Sequence, residues 1–269
     1  MSMDLQSCAF VAKAPAKINL FLKIIGTTHT KDGKYHLLQS RFMRIPEFYD
    51  TLGLMFEAQK FEVVGDFDCA MEQNTIYKAF TKLLEQINPI KQEALKHLKV
   101  FVEKGIPSGS GLGGASSNAA CFLQAANAVL DLNLTQTQLM QIGAEVGSDV
   151  PFFLSGLDIA NVEGRGEIIT PCDVSSIDVE IITPSLSVST KEVFKEFSKR
   201  FYNPQQCEVT KKESWLKKSN LEILSNNAFM NNDLLKPLLS LYPSLQSYCQ
   251  KGVFLSGSGS CFWRCKEMR

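Results

Sequence analysis

A glycine- and serine-rich segment, IPSGSGLGGASSNAA, occupies residues 106–120 and is the stretch whose composition most clearly suggests chemistry. Glycines leave the backbone amides bare, so that a phosphate group can approach them closely. The overlapping run SSNAACFLQAANAVL (116–130) combines strong helix formers with an apolar stripe, which predicts a helix that the glycines open. Because a helix N-terminus carries unpaired N–H groups and a positive dipole end, the segment predicts an anion site. A flexible glycine loop before a capped helix is the competing interpretation.

The type of phosphate loop is constrained by the residues around the glycines. The spacing Gly109-x-Gly111-x-x-Gly114 matches the dinucleotide fingerprint, but residues 104–107 separate it from the preceding strand, which the fingerprint would follow directly. A Walker A loop fails because Ala115 stands where Lys is required, although Ser116 matches the following Ser or Thr position. No HRD or DFG triplet occurs, which excludes the protein kinases. Because the dinucleotide spacing is still matched, an NAD-type oxidoreductase stays open as an alternative.

Composition narrows the class of protein further. The chain has 269 residues, 45% of them hydrophobic, and 28 basic residues balance 28 acidic ones. This balance argues against non-specific binding to nucleic acid or to an acidic membrane, so we expect small-molecule ligands. The eight cysteines are scattered and are expected to be buried free thiols, and three histidines without metal-binding spacing make a histidine-built zinc site improbable. We expect no membrane span, no leader, no obligate protein partner and a cytoplasmic location.

The elements that must position the chemistry can be outlined from periodicity. Residues 10–24 alternate with period two, which predicts a half-buried strand that presents Lys17 and Asn19 on one face. The polar run 26–34 predicts a loop, with Asp32-Gly33 as a turn, before an extended stretch over 35–45. A helix capped by Asn74 is predicted over 74–87, and a strand over 97–103 leads into the glycines.

The amino-acid composition of the chain changes near residues 171–178. Before that point, Thr135-x-x-Gln138 predicts a capping box for a helix that ends at Gly147. Beyond it we expect a strand over 179–184, a helix over 190–201, a polar connector over 203–214, two or more helices to about Tyr248, and a strand, glycine turn and strand over 253–263. Two consecutive domains, 1–172 and 173–269, are therefore predicted.

Three motifs in order carry a family resemblance. The segment from Pro107 to Ala120 resembles the Pro-x-x-x-Gly-Leu-Gly-x-Ser-Ser-x-Ala-Ala loop of the GHMP kinase superfamily, with one extra residue between the Gly-Leu-Gly triplet and the serine pair. AKINL (16–20) resembles its N-terminal motif, and SGSGS (256–260) resembles its C-terminal glycine motif. Within the superfamily, PAKINLFLKI (15–24), DGKYHLLQS (32–40) and GSDVPFF (147–153) are most similar to the kinases that act on 4-diphosphocytidyl-2-C-methyl-D-erythritol, although Lys34 is inserted before Tyr35.

The resemblance implies a fold, a reaction and an active site. The fold is α+β with two domains: an N-terminal α/β domain that binds ATP, a C-terminal ferredoxin-like domain, and the active site between them. The reaction is ATP-dependent phosphorylation of the substrate's 2-hydroxyl in isoprenoid precursor biosynthesis by the non-mevalonate pathway, with Mg²⁺ on the phosphates. Another small alcohol, such as mevalonate or homoserine, is the alternative acceptor. Asp149 matches the catalytic aspartate, and Lys17 matches its partner lysine.

The resemblance also implies two sets of binding residues. Those for ATP are Pro107, Gly109, Gly111, Leu112, Gly113, Gly114, Ser116 and Ser117, with Lys104 and Asn74 near the adenosine. Those for the cytidine diphosphate sugar alcohol are Asn19, Tyr35, His36, Thr190, Phe194, Gly257 and Gly259. Among the latter, the rings of Tyr35 and Phe194 are expected to sandwich the cytosine while His36 reads its edge.

Overall fold

The computed structural model describes residues 7–30, 33–56 and 58–266. The described chain forms two compact units that are interleaved along the sequence. Unit 1 comprises the described residues up to Ala16, together with Ile45–Ser108 and Gly113–Gly156. Unit 2 comprises Lys17–Arg44, Gly109–Leu112 and the described residues from Leu157 onward. The division into consecutive domains at 172 and 173 remains a prediction.

Two long paired strands, β1 (Phe10–Thr30) and β2 (Gly33–Met55), run through both units. The predicted strand over 10–24 is confirmed, but it is not half-buried, because every residue from Ala16 to Ile24 is buried. The predicted loop over 26–34 is wrong: β1 continues to Thr30 and β2 begins at Gly33. Asp32 lies outside the described residues. Residues 26–29, 33 and 34 are partly or fully exposed, which suits polar side chains, and composition alone does not separate an exposed hairpin end from a loop.

Unit 1 packs helices around a small sheet. In this sheet β3 (Glu62–Gly65) lies parallel to β4 (Lys99–Glu103), and β4 pairs antiparallel with residues 51–55 of β2. The helices are α1 (Thr75–Leu84), α2 (Pro89–Lys96), α3 (Gly114–Val129), α4 (Gln136–Val146) and α5 (Val150–Leu154). Apolar side chains of α1, α3 and α5 are buried, and α3, α4 and α5 pack against one another. The unit therefore has its own hydrophobic core, which fixes where α3 and α5 begin.

Helix caps in unit 1 follow the sequence closely. The Oδ1 atom of Asn74 accepts the N–H of Ile76 at 2.9 Å, which confirms the predicted cap of α1. Thr135 and Gln138 form the predicted capping box at the start of α4, and Gly147 follows its last residue. Helix α3 begins at Gly114, directly within the glycines, as predicted. The caps of α1 and α4 satisfy orphan N–H groups at the two helix starts through residues within one turn, which is why short sequence patterns predict them.

Unit 2 contains two antiparallel arrangements. Residues 38–43 of β2 pair with β5 (Ile159–Gly164), which pairs with β6 (Ile168–Pro171). A separate sheet has the order β7 (Val179–Ile182), β9 (Phe262–Cys265), β8 (Val253–Leu255). The helices are α6 (Thr190–Glu196), α7 (Pro204–Lys212), α8 (Asn220–Ser225), α9 (Ala228–Asn231) and α10 (Leu235–Leu241). Helices and sheets together confirm the predicted α+β class, and the strand, turn and strand over 253–263 is also confirmed.

One expectation about unit 2 is confirmed with a change of helix type, and another is wrong. The helix predicted over 190–201 is present as an α-helix to Glu196 and as a π-helix from Phe197 to Phe201. The polar connector predicted over 203–214 contains α7, whose Pro204 occupies the first turn and whose Asn203 side chain accepts the N–H of Gln206 at 3.1 Å. This helix buries only Cys207 and Thr210, so its sequence lacks the apolar stripe from which helices are usually predicted.

All eight cysteines lie within the described residues and are free thiols, as predicted, but only Cys121, Cys207 and Cys261 are buried. Burial raises the pKa of the Cys121 and Cys261 thiols to about 12, so both remain protonated near neutral pH. None of the helices in the described part of the chain is long and apolar enough to cross a membrane.

Candidate active site

The glycine segment adopts a backbone that only glycine tolerates easily. Gly109, Gly111 and Gly113 have φ angles of 62°, 76° and 74°, in the left-handed region that L side chains rarely enter. A Cβ atom on Gly111 would lie 2.2 Å from the carbonyl oxygen of Ser256, and one on Gly109 would lie 2.3 Å from Oγ of Ser187. Both the conformation and the close approach therefore require glycine.

The loop residues that belong to unit 2 are held by the turn between β8 and β9. The carbonyl of Gly109 accepts the N–H of Ser260 at 3.2 Å and that of Val188 at 3.1 Å. The hydroxyl of Ser256 donates to the carbonyl of Gly111 at 3.0 Å. Two of the three motifs that resemble the superfamily are thus hydrogen-bonded to each other within one unit.

The start of α3 lacks a side-chain cap. Its N-cap residue is Gly113, which has no side chain to satisfy the first N–H groups of the helix. Ser116 is half-buried in the first turn, whereas Ser117 is buried. A Cβ atom on Gly147 would lie 3.7 Å from Oγ of Ser116, so the serine hydroxyl lies beside the turn that leads to Asp149. An uncapped helix start next to a hydroxyl can bind phosphate oxygens.

Asp149 lies at the N-cap position of α5 but does not cap it. Its side chain makes no hydrogen bond to the first turn of the helix, and its backbone φ and ψ angles are −86° and −11°. The side chain is half-buried. A purely local role as a helix cap, the ordinary explanation for an aspartate before Pro151, is therefore not what the structure shows. Asp149 belongs to unit 1 and Lys17 to unit 2, and each is described within its own unit.

Lys17 is a buried lysine held in a chain of hydrogen bonds. Its ammonium donates to Oδ1 of Asn19 at 2.7 Å and lies 4.5 Å from the ring centroid of Phe42. The Nδ2 atom of Asn19 donates to Oγ of Ser40 at 3.0 Å, and that hydroxyl donates to the carbonyl of Phe21. Burying a charged lysine is costly unless it is bonded, so this arrangement fixes where the ammonium lies.

The turn after β8 lies beside Asn19, which accepts the hydrogen bond from Lys17. A Cβ atom on Gly257 would lie 3.5 Å from Oδ1 of Asn19 and 3.1 Å from the carbonyl of Gly111. The hydroxyls of Thr190 and Ser258 share a hydrogen bond of 2.7 Å. The backbone N–H of Lys17 donates to the carbonyl of the buried Leu112 at 2.9 Å. Unit 2 therefore brings together predicted residues of both binding sets, and Gly259, with a φ angle of 88°, belongs to the same turn.

His36 lies in an aromatic cluster. Its ring centroid is 5.7 Å from that of Phe194, nearly stacked, and 5.3 Å from that of Phe197, edge-on. Nε2 of His36 shares a hydrogen bond of 2.7 Å with Oγ of Ser198. Burial, and secondarily the ammonium of Lys34, lower the pKa of His36, so the imidazole is neutral at pH 7. A neutral imidazole can donate one hydrogen bond to the polar edge of another ring and accept one from it.

Tyr35 has a different environment from its neighbour. Because successive side chains of a strand point to opposite faces, Tyr35 and His36 diverge. The guanidinium of Arg165 lies 5.2 Å from the ring centroid of Tyr35. The structure thus brings His36 together with Phe194, while the sandwich of a base by Tyr35 and Phe194 stays a prediction.

Lys104 and Asn74 are both engaged within unit 1. The ammonium of Lys104 pairs with the carboxylate of Asp50, and Asn74 caps α1. Pro107 is exposed in the loop before the glycines. Helix α1 also contacts the start of α3 through Thr75, whose hydroxyl donates to the carbonyl of Ala115 at 2.7 Å. The predicted roles of Lys104 and Asn74 toward adenosine remain predictions.

Sequence reasoning missed Asp50 and Ser40, which are completely buried. Asp50 shares its strand face with the buried Leu52 and Leu54, so an acid stands on an apolar face at period two. That pattern could have identified Asp50 as a residue with a buried partner. Ser40 has no comparable pattern, because a serine within a strand is common on either face.

The chain is similar in sequence to known members of the family that its motifs resemble. Residues 74–157 match the family model described as the GHMP kinases N terminal domain. A 4-diphosphocytidyl-2-C-methyl-D-erythritol kinase of Sulfurimonas denitrificans is 42% identical over 262 residues, which covers 95% of this chain and 96% of that protein. The chain belongs to the 4-diphosphocytidyl-2-C-methyl-D-erythritol kinase family. It is therefore a member of the GHMP kinases, and an enzyme that uses ATP as phosphoryl donor.

Solved structures agree with this family membership. The crystal structure of a 4-(cytidine 5'-diphospho)-2C-methyl-D-erythritol kinase superposes with a TM-score of 0.68 at 27% identity, over 96% of this chain and 90% of that one. The mevalonate kinase of Methanococcus jannaschii superposes with a TM-score of 0.62 over 95% of this chain and 90% of that one, but at 12% identity. At 12% identity, the second likeness shows only that the two proteins share the GHMP kinase fold. The two superpositions together confirm the predicted fold class.

We predict that Gly111→Ala lowers the free energy of unfolding by at least about 2 kcal/mol, because the added Cβ meets a backbone oxygen at 2.2 Å. Gly252→Ala is the matched control, since Gly252 has a φ angle of 77° and nothing within 4 Å of an added Cβ. Its cost should be about 1 kcal/mol, from the left-handed backbone alone. Urea unfolding of both variants measures the difference, and equal losses would contradict close packing of the loop.

We predict that the pKa of His36, followed by its ring proton shifts in NMR, lies below the ordinary value and rises in Lys34→Ala. His97 is an internal control, because the carbonyl of Ala58, followed by Glu93, raises its pKa. A lowered pKa in the folded state means that His36 contributes stability above its unfolded pKa, and that this contribution is lost as pH falls through the folded pKa. A His36 resonance that titrates above that of His97 would contradict the burial of its ring.

Proposed function

We propose that the chain transfers the γ-phosphoryl group of ATP to the 2-hydroxyl of 4-diphosphocytidyl-2-C-methyl-D-erythritol. The observation that carries the proposal is the 42% identity, over 95% of the chain, to a protein named for that substrate. The arrangement of Lys17, Asn19 and the glycine turn supports it, because these residues match the family's motifs and are held by buried hydrogen bonds.

The triphosphate of ATP is proposed to bind at the glycine segment. Amides at the uncapped start of α3 and the positive end of its dipole favour the negative charge of the phosphates. Ser116 offers a hydroxyl beside them. The loop needs no side-chain movement to present these groups, because its shape comes from glycines and from bonds to neighbouring backbone.

Two residues are proposed to act on the transferred group. Phosphoryl transfer passes through a loose transition state, so the enzyme mainly aligns the hydroxyl and stabilises charge. Lys17 supplies a fixed positive charge for this purpose, and the loss of such a group costs on the order of 10²–10³ in rate. Asp149 accepts the proton of the 2-hydroxyl as the O–P bond forms, which leaves ADP and a phosphate ester. That Asp149 and Lys17 serve one transfer is part of the proposal and rests on the family motifs.

The proposal includes Mg²⁺ on the nucleotide phosphates. Among the described residues, no group of three or more His, Cys, Asp or Glu could hold a metal ion by itself. Mg²⁺ does not require such a group, because it keeps several waters and binds mainly through substrate phosphates with one or two protein ligands. The half-buried hydroxyl of Ser116 would supply one of those ligands. When bound, the ion neutralises charge that develops on the phosphate oxygens.

The nucleotide end of the acceptor is proposed to bind at the His36 cluster. Phe194 offers an aromatic face, and base stacking on such a face is worth about 1–3 kcal/mol. The neutral imidazole of His36 matches a cytosine edge, which both donates and accepts hydrogen bonds. Thr190, Asn19 and the amides of Gly257 and Gly259 are proposed to contact the sugar and diphosphate, with Tyr35 as the second stacking ring.

The experiment that tests the function is a panel of alcohols scored by ADP release, with and without Mg²⁺. We expect release with 4-diphosphocytidyl-2-C-methyl-D-erythritol and none with mevalonate or homoserine. Release with homoserine or mevalonate alone would contradict the substrate.

We predict that Asp149→Asn lowers kcat by on the order of 10²–10³-fold, because an amide cannot accept the proton of the hydroxyl. Asp131→Asn is the matched control: Asp131 is exposed in the same unit, and its φ angle of 47° is one that asparagine tolerates. The control should keep its kcat within about twofold of the unsubstituted enzyme. An Asp149→Asn enzyme that matches the control would exclude Asp149 as the base.

A further inference from the structure

One carboxylate in unit 1 has no role in the mechanism above, although it is the most completely enclosed acid in the described structure. Asp50 lies in β2 and its side chain has 0% exposure. An isolated carboxylate is very costly to bury, so its presence requires several donors. The structure supplies these donors from the two ends of the glycine segment.

The donors to Asp50 come from both sides of the loop. Oδ1 accepts the backbone N–H groups of Gly105 at 2.8 Å and Ile106 at 2.7 Å, immediately before the glycines. Oδ2 accepts a hydrogen bond from the ammonium of Lys104. It accepts another at 2.8 Å from Nδ2 of Asn118, a residue in the first turns of α3. One side chain thus fixes the chain that enters the loop relative to the helix that leaves it.

The ion pair also places the ammonium of Lys104. A Cβ atom on Gly114 would lie 3.5 Å from Nζ of Lys104, so the ammonium lies beside the first residue of α3. A helix N-terminus attracts anions and repels cations, so an ammonium stays there only if a negative group holds it. Asp50 is that group, and it keeps the ammonium of Lys104 next to the uncapped amides.

We propose that Asp50 is a positioning residue for ATP: it sets the spacing between residues 104–106 and the start of α3, and it holds Lys104 beside that start. This inference rests on the proposed function, because it assigns the loop to ATP. Asp50 acts through Lys104 and the loop amides, since all of its carboxylate bonds are made to the protein.

The test compares Asp50→Asn with Asp233→Asn. Asparagine at 50 keeps an oxygen for the two backbone amides, but its NH₂ group faces Lys104 and Asn118, which are themselves donors. In unit 2 the carboxylate of Asp233 likewise accepts a lysine ammonium, that of Lys23, and the backbone N–H of Ile24. The control therefore removes the same kind of bond away from the loop.

We expect Asp50→Asn to raise the Kd of a non-hydrolysable ATP analogue and the KM for ATP by about tenfold or more, because an ammonium beside the phosphates loses its fixed position. The KM for the alcohol should change less than about threefold in that variant. Asp233→Asn should lower the Tm without changing the Kd of the analogue. If both variants lower the Tm and neither changes that Kd, Asp50 is only structural and the inference is overturned.

Hydrogen exchange separates this outcome from failure of the proposed function. The amides of Gly105 and Ile106 should exchange at least about tenfold faster in Asp50→Asn and at the original rate in Asp233→Asn. If the unsubstituted enzyme binds the analogue but releases no ADP with any alcohol, the proposed function fails while the Kd comparison still decides the inference. If it does not bind the analogue, both are overturned.

A milder variant covers the case in which Asp50→Asn does not fold. Asn118→Leu keeps the branched shape and the number of heavy atoms of the side chain and removes only one of the donors to Oδ2. We expect a rise of about threefold in the Kd of the analogue, smaller than for Asp50→Asn because Lys104 stays paired. An unchanged Kd together with unchanged exchange at Gly105 and Ile106 would overturn the inference.

Discussion

A glycine-rich loop has few side chains with which to hold its own shape, and this constraint governs the structure around it. Gly109 and Gly111 adopt left-handed backbone that costs other residues about 1–2 kcal/mol each. The loop must therefore be fixed from outside. In unit 1 the carboxylate of Asp50 supplies the fixation, and in unit 2 the turn at 256–260 supplies it through backbone bonds and close contact.

Buried charge is the second recurring theme, and hydrogen bonds to neutral groups contribute in each case. Lys17 uses an asparagine and an aromatic face, and Asp50 uses amides and a lysine. Arg41, also buried, donates to the carbonyls of Leu216 and Lys218 and to two asparagine side chains. Such networks rigidify the backbone they join, because breaking any one bond leaves a buried group unsatisfied.

Much of this could be predicted from the sequence where interactions are local. The start of α3, the cap by Asn74 and the box at Thr135 depend on residues within one turn, and all are confirmed. The hairpin end over 26–34 and α7 were missed because their exposed polar residues resemble loops. The donors around Asp50 come from segments distant in sequence, so no pattern within a window could show them. The proposed roles of Lys17 and Asp149 depend on matched motifs, and periodicity alone would have left them as ordinary strand and turn residues.

The interleaving of the two units has a consequence for how the chain is made. The last described residue of unit 1 is Gly156, so every segment of that unit has been synthesised when little more than the first half of the chain exists. The Lys17–Arg44 segment of unit 2 makes some of its contacts only much later in synthesis. The indole of Trp263 donates to the carbonyl of Asn19, a contact that spans 244 residues. On the ribosome, the strand that carries Lys17 therefore emerges long before Trp263, one of its final neighbours, has been synthesised.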